Sequence, residues 1–419
     1  MSKPTALDLL GILVAFTLLL HSATHAAEKS GSRVVETGPS ENLVLPPPYA
    51  TRSVANASTL IGWPNGKSPV ASTGFQVNLF ADELDNPRTI LVLPDGDVLV
   101  MESLRQIGGS RIILLRDLGK KGQSTYRRTF LSGLKGAFGM ALLGERLYIG
   151  NTDAIVVFAY RPGDTHISEH RETILSLPVG GHYTRNVIID QDGRKLYVAV
   201  GSRSNVDEDR HDAKDPTRAA ILQADLDGRN MRVFASGLRN PVGMDWEPTT
   251  HQLWTVVNER DGLGDELVPD FLTSVRDGSF YGWPYSYFGQ NEDPRKKGER
   301  PNLVAKAIKP DYALGSHVAP IGMTFYSGKS FLSRYNGGAF IGMHGSWNRS
   351  KPVGYKVAFA PFRNGRPTGM IEDFLTGFLA DERLNRVYGR PAGVAVWTDG
   401  SLLVADDAAG KIWRVSAKR

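Results

Sequence analysis

Short apolar runs alternate with turn residues along the sequence, and one phrase, strand–turn–strand, returns six times. Its first instance is Leu91-Val92-Leu93, the turn Pro94-Asp95-Gly96-Asp97, then Val98-Leu99-Val100. Later ones span 141–149, 188–200, 244–257, 323–342 and 394–405. Matching apolar anchors stand at Val98, Leu147, Leu196, Leu253, Phe340 and Leu402, spaced by 49, 49, 57, 87 and 62 residues. Repeats at this pitch mark supersecondary units that cannot bury their apolar faces alone. With almost no helical periodicity beside them, the pattern predicts an all-β fold: a six-bladed β-propeller of four-stranded blades.

The strand at 75–81 resembles those at 129–131, 173–175, 232–234 and 373–375, each of which precedes a later repeat. It is therefore expected as the outer strand of the last blade, closing the ring and removing an exposed edge. Between Val257 and Phe340 the spacing lengthens by about thirty residues, and a long insert is as compatible with function as with rim packing. Within it, 265–272 reads as a short helix and 280–288 is rich in aromatic residues, Trp283 among them.

The N-terminus and the composition set the compartment. Lys3 precedes an apolar run over 9–20, too short to span a bilayer, and Thr24 and Ala26 fit a cleavage site after Ala26. Residues 1–26 are thus expected to be a signal peptide, with 27–73 as an extended arm or linker and 74–419 as the propeller. The expected location is periplasmic or secreted, with no membrane anchor after cleavage. The chain has no cysteine, which excludes disulfides and a lipid-modified N-terminal cysteine. The 45 Gly and 24 Pro residues suit turns rather than disorder, because 41% of residues are hydrophobic. A net charge of +5 without a dense Lys/Arg block argues for a mildly basic surface rather than nucleic-acid binding, and it suits an anionic ligand.

In an antiparallel four-stranded blade, the loop leading into the innermost strand and the loop after the second strand open on the same end of the channel. The first set supplies Asn86, Arg88, Lys135, His182, Tyr183, Arg185, Arg239, Asn240, His317, Tyr388 and Arg390. The second supplies Glu102, Arg105, Asn151, Ser202, Asn258, Glu259, Asp261, His344, Trp347, Arg349, Asp406 and Asp407. A ring of planar guanidinium groups favours a flat, polyanionic ligand, and a histidine beside it can take a proton. Clustered carboxylates and turn carbonyls suit Ca²⁺. Taken singly, His182, Arg239 and the Asp406-Asp407 pair read equally as ordinary turn residues, and Trp283 and Trp347 as packing. Only convergence on one mouth makes them a site.

At these loops the chain resembles the glucose/sorbosone dehydrogenase family, soluble quinoproteins that use pyrroloquinoline quinone, and most closely its sorbosone-dehydrogenase-like members. The segments that carry the resemblance are 180–186 (with Gly181-His182-Tyr183), 237–243 (with Leu238-Arg239-Asn240-Pro241) and 254–262 (with Asn258-Glu259-Arg260-Asp261-Gly262). Tyr281-Gly282-Trp283-Pro284, His344-Gly345-Ser346-Trp347-Asn348-Arg349 and Tyr388-Gly389-Arg390-Pro391 complete it. The match covers about residues 74–416.

The resemblance implies oxidation of a sugar, or a sugar-derived alcohol or aldehyde, by hydride transfer to the quinone. His182 would be the general base, and Arg239 the catalytic arginine near the reactive carbonyl. Arg239, Asn240, Arg349 and Arg390 would bind the cofactor, and main-chain carbonyls at Asp261 and Gly262 would hold Ca²⁺. Departures from the glucose dehydrogenase pattern fall at Ser202, where an aspartate would orient the base, at Leu134-Lys135 and at Tyr388. The cofactor lysine is also out of register, with Arg349 the substitute ahead of Lys351. No Cys-x-x-Cys-His for heme exists in the sequence, so electrons would pass to a separate acceptor, a cytochrome or quinone. Two other readings fit the same residues: a Ca²⁺-dependent, lactonase-like propeller hydrolase, and a non-catalytic propeller that binds a carbohydrate or protein.

Overall fold

The computed structural model describes residues 37–104, 108–168 and 171–418. The expected signal peptide, the first part of the arm and Arg105 lie outside the described residues. Among the described residues the fold is nearly all β, and Pro301–Val304 is the one α-helical segment.

Four-stranded antiparallel meanders follow the repeats. The first comprises Pro87–Val92, Val98–Glu102, Ser110–Arg116 and Tyr126–Leu134. Later ones open on Gly139–Leu143, Val187–Ile189, Pro241–Trp246, Pro320–Phe325 and Pro391–Val396. In the last, Phe75–Ala81 pairs antiparallel on the outside of Lys411–Ala417. Strands from the start and the finish of the repeat array are thereby hydrogen-bonded in one sheet.

Strand periodicity explains the packing. Successive side chains point to opposite faces of a sheet. In Val98–Glu102, Val98 and Val100 pack with Leu403, Ala405 and Ile412 of the last sheet. Leu99 and Met101 instead pack with Leu147 and Ile149 of the second. Both faces are buried, so the strand reads as a continuous apolar run. The other anchors, Leu147, Leu196, Leu253, Phe340 and Leu402, are buried likewise.

The first strands of neighbouring sheets pack on one another in sequence order, and Pro391–Val396 packs back on Pro87–Val92. The approach is close enough that a Cβ at Gly393 would stand 2.5 Å from the Arg88 carbonyl oxygen. Four of these strands begin at a proline, Pro87, Pro241, Pro320 and Pro391, and each has a register shift just inside it. Proline has no N–H to offer the ladder and belongs at a strand's first residue or a bulge. A bulge there re-aims neighbouring side chains, and Asn240 and Arg390 sit immediately before two of these prolines.

The 265–272 segment is not a helix. Pro269–Ser274 is a strand, paired with Leu253–Val257 on one side and Tyr312–Ser316 on the other. Every residue of it is buried, and Phe271 and Thr273 suit the pleat, so tertiary pairing overrides the local pattern. The lengthened spacing is an excursion between Pro269–Ser274 and Tyr312–Ser316. Ser279–Phe280 within it adds in parallel to Arg232–Ser236.

Upstream of Phe75 the backbone runs along the edges of the sheets. Gly38–Pro39 pairs with Tyr312–Ser316, Thr59–Leu60 with Arg386–Val387, and Val70–Ala71 with Glu372–Thr376. Trp63 packs on Phe378, Tyr388 and Trp413.

Candidate functional site

A cavity of about 440 Å³ opens where the inner strands begin. His182, Arg239, Asn240, Asp261 and Arg390 all line it, together with Arg88, Asn258, Glu259, Asp270, His317, His344 and Trp347. Stretches far apart in the sequence therefore meet at one opening.

His182 sits in a turn built by Gly180 and Gly181, whose φ values are 87° and 68°. A Cβ at Gly181 would collide with the Arg203 backbone. Buried Arg185 braces the turn by donating to the carbonyls of His182 and Thr184, both at 2.8 Å. The His182 ring donates Nδ1–H to the Ser202 carbonyl at 2.7 Å, with Ser202 Oγ at 3.2 Å. That bond fixes the tautomer and leaves Nε2 as the lone-pair nitrogen. Desolvation first, and the Arg239 charge second, push the imidazole pKa down to about 3. The ring is neutral near pH 7 and able to accept a proton.

Arg239 is buried and held on every side. Its guanidinium donates to the carbonyls of Glu259 (2.8 Å), Asn258 (3.2 Å) and Asn205 (3.2 Å), and to Asn205 Oδ1 (3.0 Å). Asp261 Oδ2 lies 3.4 Å from it. Asn205 also accepts from Asp261 N–H at 2.9 Å and donates to the Asp261 carbonyl at 2.9 Å. His317 lies between the Gly264 carbonyl (2.9 Å) and Asp261 Oδ1 (3.5 Å). Burial disfavours its charge, but these acceptors outweigh it and raise its pKa.

Behind this layer lie two buried carboxylates without a cationic hydrogen-bond partner. Asp270 accepts from Glu259 N–H at 2.7 Å and from Ala319 N–H at 2.8 Å. Glu259 Oε2 accepts from Arg260 N–H at 3.0 Å, while Oε1 has no partner. Desolvation pushes both pKa values up to about 7.

On the opposite wall, Arg390 donates to the carbonyls of His344 (2.9 Å) and Gly345 (3.0 Å), and its backbone N–H to Asp406 Oδ1 (2.8 Å). His344 Nε2–H is shared between the two oxygens of Asp407 at 2.8 and 2.9 Å, and Arg88 Nη1 pairs with Asp407 at 2.5 Å. Burial alone would raise the Asp407 pKa. The facing His344 and Arg88 hold it well below the usual carboxylate range, while burial pushes His344 down to about 4. The resulting unit is an arginine–carboxylate pair with a neutral, orientated imidazole.

Not every expected residue arrives at this cavity. Arg349 is not in its lining. Its guanidinium pairs with Glu266 and the Asp265 carbonyl, because the loop after Met343 turns back onto the 262–266 turn. Gly262 also falls outside the lining, and its N–H donates to Asn348 Oδ1 at 3.0 Å. Lys135 pairs with Asp153 instead, and the Tyr388 hydroxyl accepts from Lys67 at 2.8 Å. Trp283 does structural work at the edge of the site, donating Nε1–H to the Asn205 carbonyl at 2.9 Å. Asn205 and Asp270 carry weight that sequence reading did not give them. Asn205 sits in a polar loop with no periodic signal, and Asp270 is concealed in the segment read as a helix.

The main-chain carbonyl of Asp261 is a poor fit to Ca²⁺. The Asp261 carbonyl already accepts from Arg260 Nε (3.1 Å), Arg260 Nη2 (2.9 Å) and Asn205. Arg260 is itself fixed by a buried pair with Asp293 at 2.7 Å. Among the described residues no three His, Cys, Asp or Glu side chains are grouped to hold a metal ion. No helix of the described residues is long and apolar enough to cross a membrane.

Comparison with known proteins gives a consistent set of relatives. A family model described as TrAA12-like matches residues 69–270 and 288–418. A protein of Borreliella burgdorferi, described only as uncharacterized, is 30% identical over 358 residues, covering 82% of this chain and 89% of that one. The pyrroloquinoline quinone-dependent pyranose dehydrogenase of Coprinopsis cinerea is 24% identical over 424 residues, covering 85% of this chain. The match spans only 56% of that protein's length. The solved holo form of the pyranose dehydrogenase PQQ domain from Coprinopsis cinerea shares the fold. Its TM-score is 0.71 at 22% identity, covering 85% of this chain and 98% of that one.

Proposed function

Because the chain belongs to the TrAA12-like family, we propose that it is a pyrroloquinoline quinone-dependent dehydrogenase of a sugar or a sugar-derived alcohol or aldehyde. The observation that carries this reading is the meeting of a neutral His182 with Arg239, Asn240 and Arg390 in one cavity. Two relatives from separate organisms, Coprinopsis cinerea and Hypocrea jecorina, are described as quinone-dependent pyranose and sugar dehydrogenases. A glucose or sorbosone specificity does not follow from these identities.

The residues present fit a flat ligand with several carboxylates. Arg88 Nε and Asn240 Oδ1 are buried polar atoms without a partner, and such atoms cost stability unless something satisfies them. Arg88 and Arg390 would hold carboxylates on one wall, with His344 fixing Asp407 beside Arg88, and Arg239 and Asn240 would face the quinone ring edge on the other. When bound, the quinone supplies the hydride acceptor. No step is assigned to calcium, because the Asp261 carbonyl expected to hold it already accepts three hydrogen bonds.

His182 Nε2 takes the proton of the reacting hydroxyl. Its Nδ1–H stays on the Ser202 carbonyl, which plays the orienting part that an aspartate would play elsewhere. As the proton leaves, the imidazolium that forms is disfavoured by burial and by Arg239, so the proton is passed on rather than retained. An anionic ligand in the cavity offsets Arg239 and brings the pKa of His182 closer to the working pH, where a general base is most effective. Arg239, immobilised by its acceptors, needs no reorganisation to stabilise negative charge that develops beside it.

The cyclic packing of the inner strands, together with the pairing of Phe75–Ala81 on Lys411–Ala417, supports a closed six-bladed ring. We also read the protein as exported, with 1–26 removed, and as passing electrons to a separate cytochrome or quinone. Reconstitution tests the activity: adding pyrroloquinoline quinone to the purified protein is expected to confer sugar-dependent dye reduction. Persistent inactivity across a panel of aldoses and sugar aldehydes, with the quinone bound, would reject the dehydrogenase.

A further inference from the structure

Trp347 differs from every other tryptophan of the protein. It is 51% exposed, whereas the other six, Trp63, Trp246, Trp254, Trp283, Trp397 and Trp413, are buried or half-buried. Among the described residues its indole makes no hydrogen bond, and no aromatic ring or cation packs on it. Yet it lines the same cavity as His182 and Arg239.

The loop that carries it is tightly fixed. The Trp347 carbonyl accepts from Asn56 N–H at 2.7 Å. On one side, Ser346 N–H donates to the Val353 carbonyl at 2.9 Å and its own carbonyl accepts from the Tyr355 hydroxyl at 2.6 Å. On the other, Asn348 bridges Gly262 N–H and the Val54 carbonyl. Backbone and neighbours are anchored, and only the indole is left facing water. Burying a tryptophan removes a large apolar area from solvent, so a held, uncovered indole at a cavity rim is prepared for a partner with an apolar face.

We propose that Trp347 is a stacking platform for a pyranose ring, which it receives by its C–H face while the hydroxyls turn to the polar cavity wall. A six-membered sugar is the solute class that combines one flat C–H surface with a hydrogen-bonding rim. A metal, phosphate or free carboxylate has no use for an indole face. The inference rests on the proposed dehydrogenase reading and deepens it by assigning the part of the site that selects a ring over an acyclic substrate.

Trp347→Ala and Trp347→Phe, in the full quinone-loaded protein, test it against glucose, cellobiose and the acyclic alditol glucitol. A stacking contribution on the scale of an aromatic pair corresponds to about tenfold in affinity. Trp347→Ala is expected to raise KM for the ring sugars about tenfold, with kcat and quinone affinity little changed and glucitol unaffected. Trp347→Phe should recover most of the loss. Unchanged KM for the ring sugars, or an equal loss for glucitol, would overturn the platform, and so would a loss of quinone affinity of the same size. Calorimetric titration of the cofactor-free proteins with cellobiose separates the two levels. Binding that Trp347→Ala abolishes, in a protein that never reduces dye, would retain the platform and reject the dehydrogenase. No difference in cellobiose binding between wild type and Trp347→Ala would reject the platform whatever the activity.

Discussion

The two ends of the inner strands carry very different cavities. Beyond the turns at Asp95–Asp97 and Trp397–Asp399 lies a space of about 960 Å³, about twice the size of the one around His182. Several of its charges are satisfied locally: Arg116 pairs with Asp97 at 2.6 Å and Arg414 with Asp399, and Asp117 accepts from the backbone N–H groups of Lys121 and Gly122. Among the described residues none of its lining side chains has a buried polar atom lacking a partner. The smaller cavity has three, Arg88 Nε, Asn240 Oδ1 and Glu259 Oε1. A buried polar group left unmet costs about 1–3 kcal/mol. Volume therefore does not mark the site. Of these two cavities, only the smaller holds, among the described residues, buried polar atoms that a ligand could relieve.

The sharpest contrast is expected from His182→Ala. Loss of a general base typically lowers turnover by about 100-fold or more, and quinone affinity should stay close to wild type because the proposed role of Nε2 is toward the substrate hydroxyl rather than the quinone. Turnover within a few-fold of wild type would remove His182 from the chemistry. Next in size is Arg390→Ala, which takes a half-buried cation off the wall proposed to bind carboxylates and should weaken quinone binding by about tenfold or more. Its partner experiment is Lys121→Glu in the larger cavity, where a solvent-exposed charge change should alter binding and turnover by less than about twofold. Similar effects from the two substitutions would erase the distinction between the ends.

A smaller effect should appear in stability. Glu259 and Asp270 bind protons more tightly in the folded protein, with pKa values of about 7 against the usual carboxylate range when unfolded. Between about pH 4.5 and 7 the folded state holds the extra protons, so stability falls as pH rises through that window. Glu259→Gln cannot titrate and should flatten the decline in melting temperature across it. A melting profile parallel to wild type would mean that Glu259 is not a buried acid.

How much of this was legible beforehand differs between fold and site. The apolar anchors at Val98, Leu147, Leu196, Leu253, Phe340 and Leu402 could be read because each belongs to a strand buried on both faces. Such strands leave a dense local signal. His182, Arg239 and Arg390 could be placed together once strand alternation fixed which loops share an end. Arg349 could not be placed this way, because a loop position does not determine the direction of a long side chain. The Glu266 carboxylate and Asp265 carbonyl, supplied by a distant turn, claimed it. Residues 265–272 misled for a related reason: Asp265-Glu266-Leu267 favours a helix locally, whereas pairing with Leu253–Val257 and Tyr312–Ser316 decides the outcome. Asn205 gave no warning, since its partners Arg239, Asp261 and Trp283 meet it only in three dimensions.

The most direct measurement is a crystal structure of the protein soaked with pyrroloquinoline quinone. Density for the quinone against Arg88, His344 and Arg390, with its ring edge toward Arg239 and His182, is the expected result. Density in the larger cavity between Arg116 and Arg414, or none at either end at saturating quinone, would contradict the assignment.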